Sequence, residues 1–291
     1  MHAYMIIAHN QFELLEKLIK ALDDERNDIF VHIDAKVKNF DFDRIKALTK
    51  YSRVVFTPER VNITWGDYSQ VKCEMLLLKT AVENENKDKP YSYFHLLSGV
   101  DLPIKSNDYI HKFFEENNGK EFIHFTSKDT TVAESRIKYY HFFRKKRNAL
   151  YKILAQIVLR IQKVFKVNRL KASDIKTQKG CNWFSITGDF VHYVYDHLSE
   201  YERIFKYSYC ADEVFIQTVL INSPFADNLY LNDINNHYAC VRHIDWNRGN
   251  PYVFRSDDYD ELMNSKCLFA RKFDLSVDSE IVDKIVESIS N

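Results

Sequence analysis

Apolar and polar positions alternate along the first 126 residues in a way that predicts an open α/β sheet. Short apolar runs bounded by polar or turn-forming residues predict strands at 3–8, 28–34, 52–58, 91–101 and 120–126. Apolar residues at helical spacing predict helices at 12–24, 67–84 and 107–117. A strand, a helix and a second strand with short connections form a βαβ unit, so we expect mostly parallel pairing.

The stretch 136–172 has a different pattern, because it holds twelve Lys or Arg and no Asp or Glu. Its apolar residues at 153, 157, 161, 164 and 165 keep helical spacing, which predicts a basic amphipathic helix. Such a helix is compatible with an anionic membrane surface. It is equally compatible with a solvated basic helix that packs on the core, and the pattern leaves both interpretations open.

After this stretch the chain returns to strand and helix patterns, at 182–198, 212–223 and 238–246. No Gly/Ser-rich linker separates the two halves. We therefore predict one domain over 1–291, with a ligand-binding half at 1–126 and a second half at 127–291.

Composition excludes several classes of protein. The 41 basic and 41 acidic residues balance, so a generally basic nucleic-acid binder is not indicated and no nucleic-acid partner is expected. The five cysteines form no CxxC pair, which gives a zinc site no support, and their odd number fits reduced cytosolic thiols. We expect neither a signal peptide nor a transmembrane helix, because no run of about 18 apolar residues occurs.

Polar residues follow three of the predicted strands and indicate a ligand site. His9, Asp34 and Asp101 fall at carboxyl ends, where open α/β sheets bind ligands. The chain has no GxGxxG and no P-loop motif, which disfavours dinucleotide and P-loop nucleotide binding. Asp101 stands alone after its strand, whereas a metal that carries a phosphate-bearing substrate commonly uses further carboxylates.

Two later segments offer charged groups for chemistry. Glu213 lies in "CADEVFIQTVL" at the start of an apolar helix, where an acid is either a helix cap or a catalytic group. The region 242–274 is rich in Arg and Lys, which suits a diphosphate or simply a charged surface loop. Its members are Arg242, Arg248, Arg255, Arg271 and Lys272. The acids of "SDDYD" at 256–260 are candidates for a metal site, although carboxylates that open a helix are usually caps.

Seven stretches occur in an order that resembles the core-2/I-branching β-1,6-N-acetylglucosaminyltransferase family, which also contains the peptide O-xylosyltransferases. They are "IIAHN", "FVHIDAK", "ITWGDYSQVKCEMLLLK", "LLSGVDLPIKSN", "GCNWFSITGDFVHYV", "ADEVFIQT" and "LFARKFD". The resemblance implies a GT-A-type fold and transfer of a sugar from a UDP-sugar with inversion, without a divalent metal. It also accounts for the lone Asp101, because the family uses basic side chains against the diphosphate instead of an Asp-x-Asp motif.

The resemblance also assigns roles to individual residues. It matches Glu213 to the general base and Lys272 to a group that binds the diphosphate. The second diphosphate group is an Arg, for which Arg248 is the first choice and Arg255 the alternative. The residues matched to the nucleotide-sugar site, together with the strand-end acid, are Ile7, His9, Asp34, Lys36 and Asp101.

On the acceptor side, Glu134 matches an acid of the family, and Trp183 and Trp246 are candidates for stacking on a sugar. The family's animal members are lumenal, anchored and disulfide-bonded, whereas this sequence shows neither an anchor nor an even cysteine set. We therefore expect a bacterial, cytoplasmic relative, in peripheral contact with the inner face of the membrane if the basic helix binds lipid. The expected donor is UDP-N-acetylglucosamine or UDP-xylose, and the expected acceptor is a glycan or lipid-linked saccharide.

Two alternatives stay open. One is a metal-dependent glycosyltransferase that uses Asp101 with the acids at 257–260. The other is a non-catalytic membrane-surface or glycan-binding protein whose working part is 136–172. No cofactor or metal is expected under the leading interpretation.

Overall fold

The computed structural model describes residues 1–144, 148–171 and 173–290. The strands are β1 (His2–Ala8), β2 (Asn27–Ile33), β3 (Arg53–Phe56), β4 (Tyr93–Ser98), β5 (Asp101–Pro103), β6 (Ser185–Thr187), β7 (Arg242–Ile244) and β8 (Phe269–Arg271). The α-helices are α1 (Phe12–Ala21), α2 (Phe42–Lys46), α3 (Ser69–Glu83), α4 (Asn107–Glu116), α5 (Thr131–Lys138), α6 (Ala149–Val164), α7 (Gly188–Asp196), α8 (Leu198–Phe205), α9 (Phe215–Ile221), α10 (Tyr259–Met263) and α11 (Glu280–Ile289). Short 3₁₀ turns cover Ala211–Glu213, Ala226–Asn228, His237–Cys240 and Ser256–Asp258.

The central sheet has the strand order β3-β2-β1-β4-β6. Its first four strands are parallel, and β6 runs antiparallel to β4. In the middle strand, Ile6 pairs with Val31 on one side and with Leu97 on the other. The predicted mostly parallel α/β sheet is confirmed.

Helices cover both faces of this sheet. Side chains of β1 point alternately to the two sides, so each face carries apolar residues that pack against helices. Ala3 and Met5 lie in one buried apolar cluster, with residues of α3, α7 and α9. Tyr4 and Ile6 lie in the other, with residues of α1, α4 and α11. Each cluster therefore contains residues from both halves of the chain.

The predicted strand at 120–126 is wrong. Glu121 and Phe122 form only isolated bridges, and the backbone amides of the segment donate to three separate places, Asn228, Ser185 and Lys179. No single neighbouring strand offers a continuous row of partners, so no regular strand forms.

The predicted helix at 136–172 is shorter than its apolar spacing suggested. The first residues belong to the end of α5, and α6 begins only after Asn148, whose side chain caps it by accepting from the Tyr151 amide. The helix stops before Lys166, which has a left-handed backbone with φ of 52°. Residues 145–147 and 172 of the predicted segment lie outside the described residues.

A second sheet with the order β5-β8-β7 brings the end of the chain to the carboxyl edge of the first. Asp101 in β5 pairs with Arg271 in β8. Gly99 permits this close path, since a Cβ there would lie 2.9 Å from the Ala8 Cβ. Within the described residues, no helix has the length and apolar character needed to cross a membrane.

Candidate active site

Asp34 organises the carboxyl end of β2 and brings a second loop to it. One carboxylate oxygen accepts from the Lys36 amide at 2.8 Å, and the other accepts from the Ile63 amide at 3.2 Å. The Lys36 ammonium lies 3.4 Å from this second oxygen and donates to the Ile63 carbonyl at 2.6 Å. The strand end is thereby tied to the loop before α3.

His9 adds a titratable side chain to this end of the sheet. Partial burial lowers the pKa of His9, the Asp34 carboxylate opposes that shift, and the charges of Lys36 and Arg271 add to it. His9, Asp34 and Lys36 were predicted for the nucleotide site, and the structure brings them together. Ile7 precedes them in β1 and accepts a hydrogen bond from Gly99 through its carbonyl.

The carboxylate of Asp101 forms its hydrogen bonds and its ion pair within the protein. It is buried, accepts from the Ser98 amide at 2.7 Å and the Ser98 hydroxyl at 2.8 Å, and pairs with Arg271 at 2.6 Å. Arg271 in turn lies over the Trp183 ring, 4.5 Å from its centroid. Asp101 therefore holds an arginine at the site, and buried Trp183 supports that arginine instead of presenting an open platform for a sugar.

Glu213 ends the 3₁₀ turn before α9, and its side chain is 40% exposed. Its Oε2 lies 2.7 Å from an Arg136 nitrogen and 3.2 Å from the Lys179 ammonium. Its carbonyl accepts from the Gly180 amide at 2.9 Å. Sequence patterns did not single out Arg136, which looks like one more cation of the basic stretch, or Lys179, which belongs to no predicted motif.

The neighbouring Asp212 is buried and has a polar partner in α3. Its carboxylate accepts from the Gln70 side chain at 2.7 Å. Burial, reinforced by the charge of Glu213, raises the pKa of Asp212 to about 6. Two carboxylates with different environments therefore stand side by side in this turn.

The "ITWGDYSQ" segment links the two parts of the site. At one end Ile63 contacts Asp34, as described above. Further along, the Gly66 carbonyl accepts from the Cys210 amide at 3.1 Å, and the Gly66 amide donates to Gln70 at 2.6 Å. Gly66 has a φ of 74°, and a Cβ there would lie 2.9 Å from the Tyr209 ring, so glycine suits this contact. The segment therefore joins the Asp34 end of the sheet to the turn that carries Glu213.

The C-terminal cations fall into different environments. Arg242 is buried and donates to three backbone carbonyls and a serine hydroxyl, so it is unavailable to a ligand. Arg248 pairs with Asp245, Asp258 and Glu261, which engages its guanidinium within the protein.

Arg255 and Lys272, by contrast, form no salt bridge within the residues that the structure describes. Arg255 is exposed, and the Phe254 amide just before it donates to the Lys272 carbonyl at 3.1 Å. Their backbones are therefore neighbours. Arg271, which sequence patterns listed only as one of several cations, is the third basic residue at this edge.

The remaining candidates lie apart or are already engaged. Glu134 pairs with Lys138 at 2.9 Å and lines a cavity of about 480 Å³. Trp246 is 47% exposed in the loop after β7. Asp258 of "SDDYD" accepts from the Arg255 amide and pairs with Arg248. Across 1–144, 148–171 and 173–290, no three His, Cys, Asp or Glu side chains are grouped to hold a metal.

Comparison with characterised proteins gives consistent matches. The chain is 25% identical to "Xylosyltransferase 2" of Rattus norvegicus over 297 aligned residues, and 24% identical to "Xylosyltransferase 1" of Homo sapiens over 299. These alignments cover 97% of this chain but only 33% and 30% of the relatives, so the chain spans about a third of their length. A crystal structure of mouse xyloside xylosyltransferase 1 in its apo form matches with a TM-score of 0.38 and 10% identity, over 93% of this chain and 97% of that one.

The family comparison covers most of the domain. The model for the Core-2/I-branching enzyme family matches residues 2–263, a range that includes the strand-end cluster, the Gly66 segment and the Glu213 turn. The chain belongs to the Core-2/I-branching enzyme family.

Proposed function

We propose that this protein is an inverting, metal-independent glycosyltransferase that moves a sugar from a UDP-sugar to a glycan hydroxyl. The observation that carries the proposal is the geometry of Glu213. Its partly exposed carboxylate is linked through the Gly66 segment to the polar strand ends where the donor is expected. Family membership supports a GT-A-type fold for this arrangement.

Glu213 acts as the general base. An acceptor hydroxyl is a poor nucleophile at neutral pH, so a carboxylate must take its proton as the hydroxyl attacks the anomeric carbon. Both ion pairs, from Arg136 and Lys179, go to Oε2. They orient the carboxylate, and Oε1 is the oxygen left to receive the proton.

Fixed cations stabilise the departing UDP. The leaving group gains negative charge in the transition state, and preorganised positive groups aimed at that charge raise the rate. Lys272 is the first candidate, since no carboxylate of the described residues lies within salt-bridge distance of it, although Asp274 is near enough to feel its charge. For the second we favour Arg255 over Arg248, because three acids engage the guanidinium of Arg248. Arg271, held by Asp101, adds a third charge nearby.

The donor and acceptor follow from the relatives and the chemistry. The similar proteins are named xylosyltransferases, which favours UDP-xylose, and the family name favours branching of a glycan, which suits UDP-N-acetylglucosamine. We propose a glycan or lipid-linked saccharide as acceptor. Glu134, together with the exposed indoles of Trp65 and Trp246, contributes to holding it.

Thermal unfolding with a set of nucleotide sugars tests this function. A ligand that binds only the folded state raises the Tm by an amount that grows with the logarithm of its concentration over Kd. We expect UDP, UDP-xylose and UDP-N-acetylglucosamine to raise the Tm in EDTA, and ADP-glucose to leave it unchanged. UDP release with a mixed saccharide acceptor, again in EDTA, then identifies the donor. Dependence of both signals on Mn²⁺ would instead favour a metal-dependent enzyme, and absence of both would favour a non-catalytic protein.

A further inference from the structure

Helix α6 presents an apolar stripe to solvent. Leu150, Ile153, Ile157, Ile161 and Val164 recur at spacings of three and four residues, which places them on one face. Their exposed fractions run from 45% to 77%. Phe165, just beyond the helix, is 76% exposed. An apolar stripe of this length on a solvent-exposed surface indicates that the surface contacts an apolar partner.

The opposite face of α6 fixes this orientation. Ala155 and Gln162 are the buried residues of the helix. The Gln162 side chain accepts from the Tyr140 amide and donates to the Tyr140 carbonyl, both at 2.8 Å. These paired hydrogen bonds hold a polar residue toward the protein, so the apolar stripe faces outward.

Cations accompany the stripe along one side. At 100° per residue, Arg160 lies beside the isoleucines, Lys163 and Lys152 lie further round the helix on the same side, and all three are exposed. The whole segment 136–172 has twelve basic residues and no acid, whereas the rest of the chain has the remaining 29 basic residues against all 41 acids. Along the sequence, positive charge is therefore concentrated in the segment that contains α6, and the rest of the chain carries net negative charge.

We propose that α6 docks the protein on an anionic lipid surface, with the helix parallel to the membrane plane. An apolar stripe beside Lys and Arg is the pattern of helices that lie at the boundary of headgroups and acyl chains. The acidic remainder is repelled by the same surface, which orients the molecule with α6 toward the lipid. A second copy is a poorer partner, because two such faces would oppose like charges.

Vesicle co-sedimentation tests this surface without donor or acceptor, so its result is independent of the proposed transferase activity. The wild-type protein is mixed with vesicles of phosphatidylglycerol and phosphatidylcholine in equal amounts, or of phosphatidylcholine alone. We expect binding to the first and little to the second, with binding weakened by salt.

Two pairs of substitutions separate charge from apolar contact. Arg160→Gln with Lys163→Gln should lower the partition coefficient about 25-fold, whereas the matched pair Lys79→Gln with Lys112→Gln on α3 and α4 should leave it nearly unchanged. Ile157→Gln with Ile161→Gln should lower it at least about tenfold, against Val277→Gln as an exposed apolar control. All of these side chains are exposed, so folding should be retained, and the Tm verifies this.

Three results would overturn the proposal. The first is equal binding to both vesicle types, and the second is no binding to the anionic vesicles. The third is a wild-type dimer in sedimentation velocity that the Ile157→Gln, Ile161→Gln pair converts to a monomer, with no vesicle binding by either. That last outcome would assign the stripe to contact between copies.

Discussion

The two ends of β1 each carry a histidine, and the two histidines have opposite surroundings. His2, at the amino end, is buried, with its Nδ1 3.1 Å from the His95 Nε2 and its ring centroid 4.1 Å from that of His111. His9, just past the carboxyl end, lies at the surface beside the charges of Asp34, Lys36 and Arg271. One strand therefore connects a closed aromatic core to an open, charged site.

The difference separates an end of the strand that is packed in the core from the end that carries the proposed site. At the amino end, burial lowers the pKa of both His2 and His95, so the neutral forms are packed against aromatic rings. At the carboxyl end, His9 and Lys36 are exposed, whereas Asp34 is buried and accepts hydrogen bonds from loop amides. Substitutions at the two ends should therefore act on different observables.

The largest effect should come from Glu213→Gln at the open end. The amide keeps the shape of the side chain but cannot accept a proton, so we expect transfer to slow about 10² to 10⁴-fold while UDP binding changes little. Steady-state rates and UDP titration measure the two quantities. Glu116→Gln, which removes an exposed carboxylate paired with Lys112, is the matched control. Near-normal turnover in Glu213→Gln would assign the residue to helix capping.

The next effect concerns the cations that we propose to act in place of a metal. Lys272→Ala should slow transfer roughly 10²-fold, as expected when a preorganised charge is removed from the leaving group. Mg²⁺ should restore little, because Asp101 is already bound to Ser98 and Arg271. Rates are measured with EDTA, Mg²⁺ and Mn²⁺, with exposed Lys266→Ala as the control. A wild type silenced by EDTA and revived by Mn²⁺ would refute the metal-free mechanism.

Substitution of Arg255 and of Arg248, which lie in the same loop, should have different effects on the transfer rate and on the Tm. Arg255→Ala should slow transfer about tenfold with little change in Tm, because we propose that it faces the diphosphate. Arg248→Ala should lower the Tm and leave the rate close to normal, since it leaves Asp245, Asp258 and Glu261 without their shared partner. Exchange of the two outcomes would restore Arg248 as the diphosphate group.

The buried histidines at the amino end of β1 should make the free energy of unfolding depend on pH. Burial lowers the pKa of His111 from 6.5 to about 4. Between these two pH values the imidazole is protonated in the unfolded chain and neutral in the folded protein. Stability is complete above pH 6.5 and falls as the pH drops toward 4. His111→Gln should reduce this slope by up to about 1.4 kcal/mol per pH unit, measured by urea unfolding. His9→Gln should weaken UDP binding with a smaller change in slope.

Sequence patterns located the parallel strands well because β1, β2 and β4 are short apolar runs that are almost wholly buried, and the less buried β3 still forms a short apolar run. Asp34 was correctly placed, since it directly follows β2, whereas Asp101 does not end the strand predicted at 91–101: β4 stops at Ser98 and Asp101 opens β5. The strand predicted at 120–126 failed, since an apolar run does not reveal whether a continuous partner strand exists. Arg136 and Lys179 were missed because their contacts with Glu213 join residues 77 and 34 positions apart, which no local pattern encodes. Arg248 was the first choice by resemblance to the family, and its three acidic partners became visible only in the fold.

The smallest expected effect is a pH response that arises next to the proposed base. Asp212 has a pKa of about 6, so it gains its charge as the pH rises through that value. A second negative charge beside Glu213 favours proton transfer to the pair, and the wild-type rate should rise about two- to fivefold across this interval. Asp212→Asn should flatten the rise, and its side-chain oxygen still accepts from Gln70, so the fold is kept. Rates from about pH 5 to 8 test this. An unchanged inflection in Asp212→Asn would assign the titration to another group, and loss of folding would show that the Gln70 contact depends on the charge.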